Sequence, residues 1–168
     1  MLNVVCAKRG EEYRIGQIYD SARVFMRSYG LYQWQSDYPD VSDARSDIAC
    51  GVSRVLKDGD EIVATAAFVD YEEDYLSVYD GAWLSEGEYL AVHRVAVDSS
   101  VHGKGYVGIL FSAAEQEARA KGKKSLRIDT HEHNKPMRRA LEKGGFVCIG
   151  KIRLKRDGAE RVAYEKVL

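Results

Sequence analysis

The sequence predicts an α/β (α+β) fold: a central mixed, mostly antiparallel twisted sheet of about six to seven strands, flanked by about four helices. Three observations carry this. Apolar runs flank Asp58-Gly59 and the Lys155–Glu160 segment, and such turns join antiparallel strands. Apolar residues recur at helical spacing over 11–29 and again after Gly105. Between His93 and Gly145 a strand, a glycine-rich loop opening a helix, a second strand and a helix closed by Gly144-Gly145 follow one another.

In order, Leu2 to Ala7 reads as a strand, and 11–29 as a helix with Ile15, Ile18, Ala22, Phe25 and Tyr29 on its core face. Gly30 ends that helix, and 31–40 is an aromatic loop with Trp34 and Tyr38. Asp40, with Asp43 three residues on, starts a helix that Gly51 stops. Residues 52–56 and 62–70 form a hairpin, and 71–84 a turn of helix followed by a loop. Residues 88–98 are a buried strand. The helix after the glycines faces the core with Val107, Leu110, Phe111, Ala114 and Ala118. Residues 125–130 alternate, so Leu126 and Ile128 face the core while Arg127 and Asp129 do not. Asn134 caps the last helix, with Pro136 in its first turn. Two further strands close the chain.

At 168 residues the chain is expected to be one domain, 1–168, with enough length to bury a core. A net charge of −1, from 25 Lys+Arg against 26 Asp+Glu, gives no pull toward nucleic acid or an acidic membrane. No apolar stretch approaches the roughly 18 residues of a membrane span, and the start reads as a strand rather than a signal peptide. Cys6, Cys50 and Cys148 are odd in number, far apart and set in apolar segments. The expectation is three reduced, mostly buried thiols in a cytoplasmic protein.

Gly103, Gly105 and Gly108 let the backbone approach a ligand closely, just where a helix N-terminus presents unpaired N–H donors. That is an anion site, suited to phosphate or pyrophosphate, with Lys104 adding charge; the alternative is a plain glycine-rich turn. A glycine fingerprint with Asp129 about 20 residues on also suits a dinucleotide. Against this, Asp98 to His102 intervene between strand and glycines, the unit stands alone, and antiparallel hairpins flank it.

Residues 88–168 resemble the GNAT superfamily of N-acetyltransferases, whose acetyl-CoA motif runs Arg/Gln-x-x-Gly-x-Gly/Ala. The matching positions are His102, Gly105 and Val107; Val95-Ala96-Val97 before them, and Asn134 and Gly145-Phe146 after them, agree in order. The front half fits too, so the resemblance covers nearly the whole chain. His102 replaces Arg/Gln and Val107 replaces a small residue, but a cradle of backbone amides survives both. Many members also place a general-acid tyrosine five residues before this Phe, where Leu141 stands.

The resemblance implies an acetyl-CoA-dependent N-acetyltransferase, moving acetyl to a primary amine by direct attack in a ternary complex. Val95, Ala96 and Val97 would pair with the pantetheine arm, the amides of His102, Gly103, Lys104, Gly105, Tyr106, Val107 and Gly108 would hold the pyrophosphate, and Asn134 would help position the far arm. An N–H near Val95 would polarise the thioester carbonyl. A lysine-like amine is only about 0.04% neutral at pH 7, a handicap of roughly 4–5 kcal/mol, so a base matters.

His93 is the first candidate, its alternative being a satisfied histidine beside the core; His131 and Asp129 come second. Tyr75, Tyr79 and Tyr89 are the candidates to protonate the leaving thiolate, with Tyr79 placed among the catalytic residues. Trp34, Tyr38, Tyr75 and Trp83 would line the acceptor site. His131 and His133 lack the further ligands a metal needs, so no metal is expected. The acceptor's identity stays open, as does a homodimer through the C-terminal strands. A catalytically silent acyl-CoA-binding sensor of the same fold is the alternative function.

Overall fold

β1 (Leu2–Cys6) pairs antiparallel with β2 (Ser53–Asp58), which forms the expected hairpin with β3 (Glu61–Val69). The computed structural model describes all residues, Met1–Leu168. Between β1 and β2 lie α1 (Glu12–Ser28) and α2 (Val41–Ala49). After β3 come a 3-10 segment (Glu73–Ser77), β4 (Tyr89–Val97), α3 (Tyr106–Ala120), β5 (Ser125–Thr130), α4 (Lys135–Lys143), β6 (Val147–Arg153) and β7 (Glu160–Val167). The seven strands run in the order β1-β2-β3-β4-β5-β7-β6, with β4–β5 a parallel pair. No helix is long and apolar enough to cross a membrane.

The chain folds as two compact units: Met1–Phe68 with Arg94–Leu110, and Val69–His93 with Phe111–Leu168. The first buries Ile15, Ile18, Tyr19 and Ala22 of α1 against Ala44, Val55, Ile62 and Ala96. Each fully buried large side chain contributes roughly 1.5–3 kcal/mol. Phe25 and Tyr29, expected on the core face of α1, are 37% and 38% exposed instead. The inward stripe runs 15, 18, 19, 22, 26, so Tyr19 and Met26 take those places, and the Phe25 ring meets the edge of His102 at 4.3 Å. α2 begins with a capping box. Asp40 accepts from the amides of Ser42 and Asp43 at 2.8 and 3.1 Å, and Asp43 accepts from that of Asp40 at 2.8 Å. Such a cap is worth about 1 kcal/mol.

In the second unit β5 pairs with β7 from Ser125–Val167 to Thr130–Val162, and β7 with β6. Tyr75, Tyr89, Ala91, Ile149, Ile152 and Ala163 form its core cluster. Asn134 caps α4, its side chain accepting from Met137 N at 3.2 Å, and Leu141 is fully buried in that helix.

Three further expectations need correcting. β5 does not have one solvated face, because Arg127 is buried too, its guanidinium 4.2 Å from the ring centroids of both Trp83 and Tyr89. On α3 it is Tyr106 that is buried, and Val107 is only half-buried. Cys6, Cys50 and Cys148 are free thiols but all exposed. Cys6 and Cys148 lie on the outermost strands of the sheet, β1 and β6, and Cys50 caps the C-terminus of α2, positions where apolar sequence neighbours do not guarantee cover.

Candidate active site

In the first unit, the loop from β4 to α3 is braced before its glycines begin. Asp98 Oδ2 accepts from Arg14 of α1 at 2.6 Å, and Oδ1 accepts from the Ser100 amide at 2.9 Å. Those bonds, the Ser100 amide foremost, hold the Asp98 carboxyl below its ordinary pKa against the opposing effect of burial. Ser99 N donates to Ser21 Oγ at 2.8 Å. His102 turns back, its Nε2 3.2 Å from the Val97 carbonyl and its ring on Phe25. Gly103 and Gly105 then adopt φ of 84° and 77°, the left-handed region that side chains avoid. A Cβ at Gly103, Gly105 or Gly108 would meet no atom within 4 Å. The glycines keep open space over the first turn of α3, where backbone donors and the positive dipole end concentrate.

Just upstream, Arg94 holds a φ of 51° within β4, rare for a residue with a Cβ. Asp47 of α2 grips its guanidinium by two bonds of 2.7 Å, and Nη1 donates to Tyr38 Oη at 3.0 Å. A bidentate pair of this kind fixes orientation as well as charge. It pins the irregularity in β4 and orients the Tyr38 ring.

In the second unit, the β4–β5 ladder consists of three pairs, Tyr89–Ser125 to Ala91–Arg127. Beyond it stands a polar group. His93 Nε2 lies 2.9 Å from Glu72 Oε2, yet the nitrogen is enclosed without an aligned hydrogen bond. The separation outweighs the poor alignment, since a carboxylate oxygen so close sets the local field at any angle. Tyr89 Oη accepts from the Glu72 amide at 3.0 Å and donates to the Glu72 carbonyl at 3.1 Å, clamping that backbone. Tyr75 Oη donates to Asp129 Oδ1 at 2.8 Å, and the Tyr75 ring stands 5.9 Å from that of His93. Burial, then the Asp129 charge, pushes the Tyr75 hydroxyl well above its ordinary pKa. Burial also raises Asp129, although His93, Tyr75 and Arg161 each pull it down.

This geometry sits on a fold with known relatives. The profile of the Acetyltransferase (GNAT) family matches residues 15–146. The chain belongs to that family. The GNAT acetyltransferase of Streptococcus agalactiae is similar over 99% of this chain and 95% of its own, at 31% identity and a TM-score of 0.85. A GNAT acetyltransferase of Listeria monocytogenes shares the fold at 18% identity and TM-score 0.74, over 99% and 95% of the two chains. So does yncA from Salmonella typhimurium, solved with its cofactor acetyl-CoA, at 17% identity and TM-score 0.68, over 99% and 94%. No curated protein matches the sequence.

Within this GNAT chain the candidate residues divide between the units. Val95, Ala96, Val97 and the loop from His102 to Gly108 belong to the first, with Trp34 and Tyr38; the Trp34 ring meets the edge of Tyr19 at 5.9 Å. His93, Tyr75, Tyr79, Trp83, His131 and Asn134 belong to the second. There Trp83 donates from Nε1 to the Tyr75 carbonyl at 2.9 Å. Tyr79 stands apart from the His93 group, its hydroxyl donating to Glu160 and its backbone bridging Lys151. His131 lies at the end of β5, its Nδ1 accepting from His133 N at 3.1 Å; burial, then Arg161 and His133, lowers its pKa.

Sequence reasoning missed Glu72, Asp47, Arg94 and Arg161. Glu72, Asp47 and Arg94 act through partners tens of residues away, and Arg161 meets His131 only at a shared cavity, so no local pattern marks them. The one available signal for Glu72 is its place in an acidic, tyrosine-rich stretch between two strands.

Proposed function

We propose that the protein is an acetyl-CoA-dependent N-acetyltransferase acting on a primary amine by direct attack in a ternary complex, with residues 1–168 as its catalytic domain. The observation that carries the reading is the braced loop whose glycines leave open space at the N-terminus of α3, on a GNAT chain. The acetyl-CoA held by yncA, a protein of the same fold, supports it.

The residues present fit the cofactor. The amides from His102 to Gly108 would hold its pyrophosphate, an interaction that does not need the side chains that depart from the family motif. The exposed Lys104 adds a positive charge. Val95 to Val97 would pair with the pantetheine arm, an N–H near Val95 would polarise the acyl carbonyl, and Asn134 would act on the far arm through the start of α4. Bound acetyl-CoA supplies a thioester, an activated acyl donor.

His93 takes the amine proton. Glu72, its backbone clamped by Tyr89, stands 2.9 Å from Nε2, and a carboxylate there would favour the Nε2–H tautomer and leave Nδ1 to accept the proton. Neither Tyr75 nor Tyr79 is a good proton donor: each already donates to a carboxylate, and each has a raised pKa. None is required, because a thiol of pKa near about 8.5 leaves readily as thiolate. Trp83, held against Arg127 in the unit that carries His93, is the aromatic surface offered to the acceptor.

One observation favours a second reading, a silent acyl-CoA-binding sensor: Leu141 is core, so the position where many members carry a general-acid tyrosine offers none. Thermal shift with acetyl-CoA, CoA and NADPH side by side tests the binding common to both. Stabilisation by acetyl-CoA and CoA alone is expected. Stabilisation by NADPH, or by none, would overturn both readings.

A further inference from the structure

Arg161 is the least explained charge in the molecule. It sits on β7, 8% exposed, and its only bond is from Nη1 to the Glu160 carbonyl at 3.0 Å. No carboxylate lies within 4.0 Å of it, whereas the buried Arg127 has Glu165 at 3.1 Å. An enclosed guanidinium without an anion costs several kcal/mol, and a fold retains one where something compensates. Asp129 and Asp157 attract it only from a distance.

Arg161 lines a cavity of about 180 Å³ with His131, Glu132, Ala159, Glu160 and Val162. The β5–β7 register, Asp129 to Ala163 and Thr130 to Val162, brings His131 beside Arg161 on the face that carries Asp129. The volume is below the roughly 300–1,000 Å³ of a pocket for a whole drug-sized ligand, and suits a small head group. Of the two acids at its rim, Glu160 is already held by Lys151 at 3.1 Å and by Tyr79, and Glu132 is exposed beside His133 at 3.5 Å. The forked cation is the donor left over, and its geometry matches a carboxylate. Tyr75 links this end of β5 to the base: its hydroxyl donates to Asp129 Oδ1 at 2.8 Å and its ring stands 5.9 Å from that of His93, while Asp129 attracts Arg161 across the β5–β7 pair.

We propose that Arg161 and His131 form a carboxylate subsite, and that the acceptor is an amino acid whose amine is acetylated while its carboxylate is held there. This rests on the acetyltransferase reading and names its substrate class. The arrangement gives an acceptor two anchors, an amine at His93 and a carboxylate at Arg161, and so excludes simple amines and amides.

The test has two arms. In the first, thiol release from acetyl-CoA is measured with a panel of α-amino acids and with their carboxamides, on wild type and on Arg161→Gln. Acids are expected to exceed amides by at least about tenfold in kcat/KM, the discrimination of one charged hydrogen-bonded contact. Arg161→Gln should abolish that preference while the KM for acetyl-CoA stays within about twofold, a split that a purely structural role would not produce. Arg161→Lys, which keeps the charge but loses the fork, covers the case in which the glutamine variant does not fold, and should retain part of the preference. Equal use of acids and amides by wild type, or a preference that survives Arg161→Gln, overturns the proposal.

The second arm needs no catalysis. N-acetylated amino acids and their amides are titrated into the protein without acetyl-CoA while the His131 ring resonances are followed. Acid-selective, Arg161-dependent shifts support the subsite even if no transfer occurs, in which case only the catalytic reading fails. The absence of acid-selective shifts counts against the subsite whether or not acetyl transfer is observed.

Discussion

Gly108→Glu should stabilise the free protein and destroy acetyl-CoA binding, two effects of opposite sign from one residue. Gly108 is the third residue of α3, it is exposed, its φ is not in the left-handed region, and an added Cβ meets nothing within 4 Å. Replacing glycine inside a helix gains about 0.5 kcal/mol for a residue such as Glu. A carboxylate in the first turn adds roughly 0.3–1 kcal/mol through the dipole. The sum, about 1 kcal/mol, raises Tm by roughly 2–4 °C for a chain of this length. The same carboxylate occupies the space assigned to pyrophosphate. One unit charge at about 6 Å with an effective dielectric near 20 repels by roughly 2.8 kcal/mol, or about 100-fold in Kd. Calorimetric unfolding of the free protein and calorimetric titration with acetyl-CoA read the two effects separately, with Gly108→Ala as the variant that keeps binding. An unchanged Kd in Gly108→Glu would refute the placement of the pyrophosphate at this helix.

Glu165→Gln should cost about 3 kcal/mol at pH 7, the range of a broken buried pair. Its carboxyl is fully buried and accepts from Ser85 Oγ at 2.6 Å, Ser125 Oγ at 2.7 Å, Arg127 Nε at 3.1 Å and the Leu84 amide. Burial opposes its ionisation, but those donors hold its pKa below the ordinary value. Its stabilisation is therefore present above the unfolded pKa, near about 4.3, and is lost as pH falls through the lower folded value. Urea unfolding across that window should show the two proteins converging in acid; a constant difference would contradict the assignment. Asp47→Ala should cost toward the lower end of about 3–5 kcal/mol by stranding Arg94, visible as a Tm drop of roughly 6–12 °C, and a drop under about 2 °C would mean the pair is not needed to hold β4. His93→Gln should lower kcat/KM for the amine by about 10²–10⁴ with acetyl-CoA affinity unchanged; intact turnover would remove His93 as the base.

What could be read in the sequence was whatever depends on nearby residues. Asp58-Gly59 forced the β2–β3 hairpin, Asp40 and Asp43 started α2, Asn134 with Pro136 started α4, and the glycines marked the loop into α3. Errors arose where cover comes from distant chain. Arg127 looked solvated because its alternation is that of a half-buried strand, but Trp83 and Tyr89 close over it. The cysteines looked buried because their neighbours are apolar, yet two lie on the outermost strands. The loop was legible because its glycines and the helix they open are consecutive in the chain. The Glu72–His93 and Asp47–Arg94 pairs, and the shared cavity of Arg161 and His131, were not, since each joins residues separated by 21, 47 and 30 positions, and only the fold brings them together.

The most direct test of the account is mass spectrometry of the products when the protein is incubated with acetyl-CoA and a mixture of amino acids, with free thiol counted in parallel. Acetyl transfer predicts one N-acetylated amino acid for each thiol released, with both products formed about 10²–10⁴ more slowly when His93 is replaced by Gln. Tight acetyl-CoA binding with no amine-dependent thiol and no N-acetyl product would contradict it and leave a protein that senses acyl-CoA without using it.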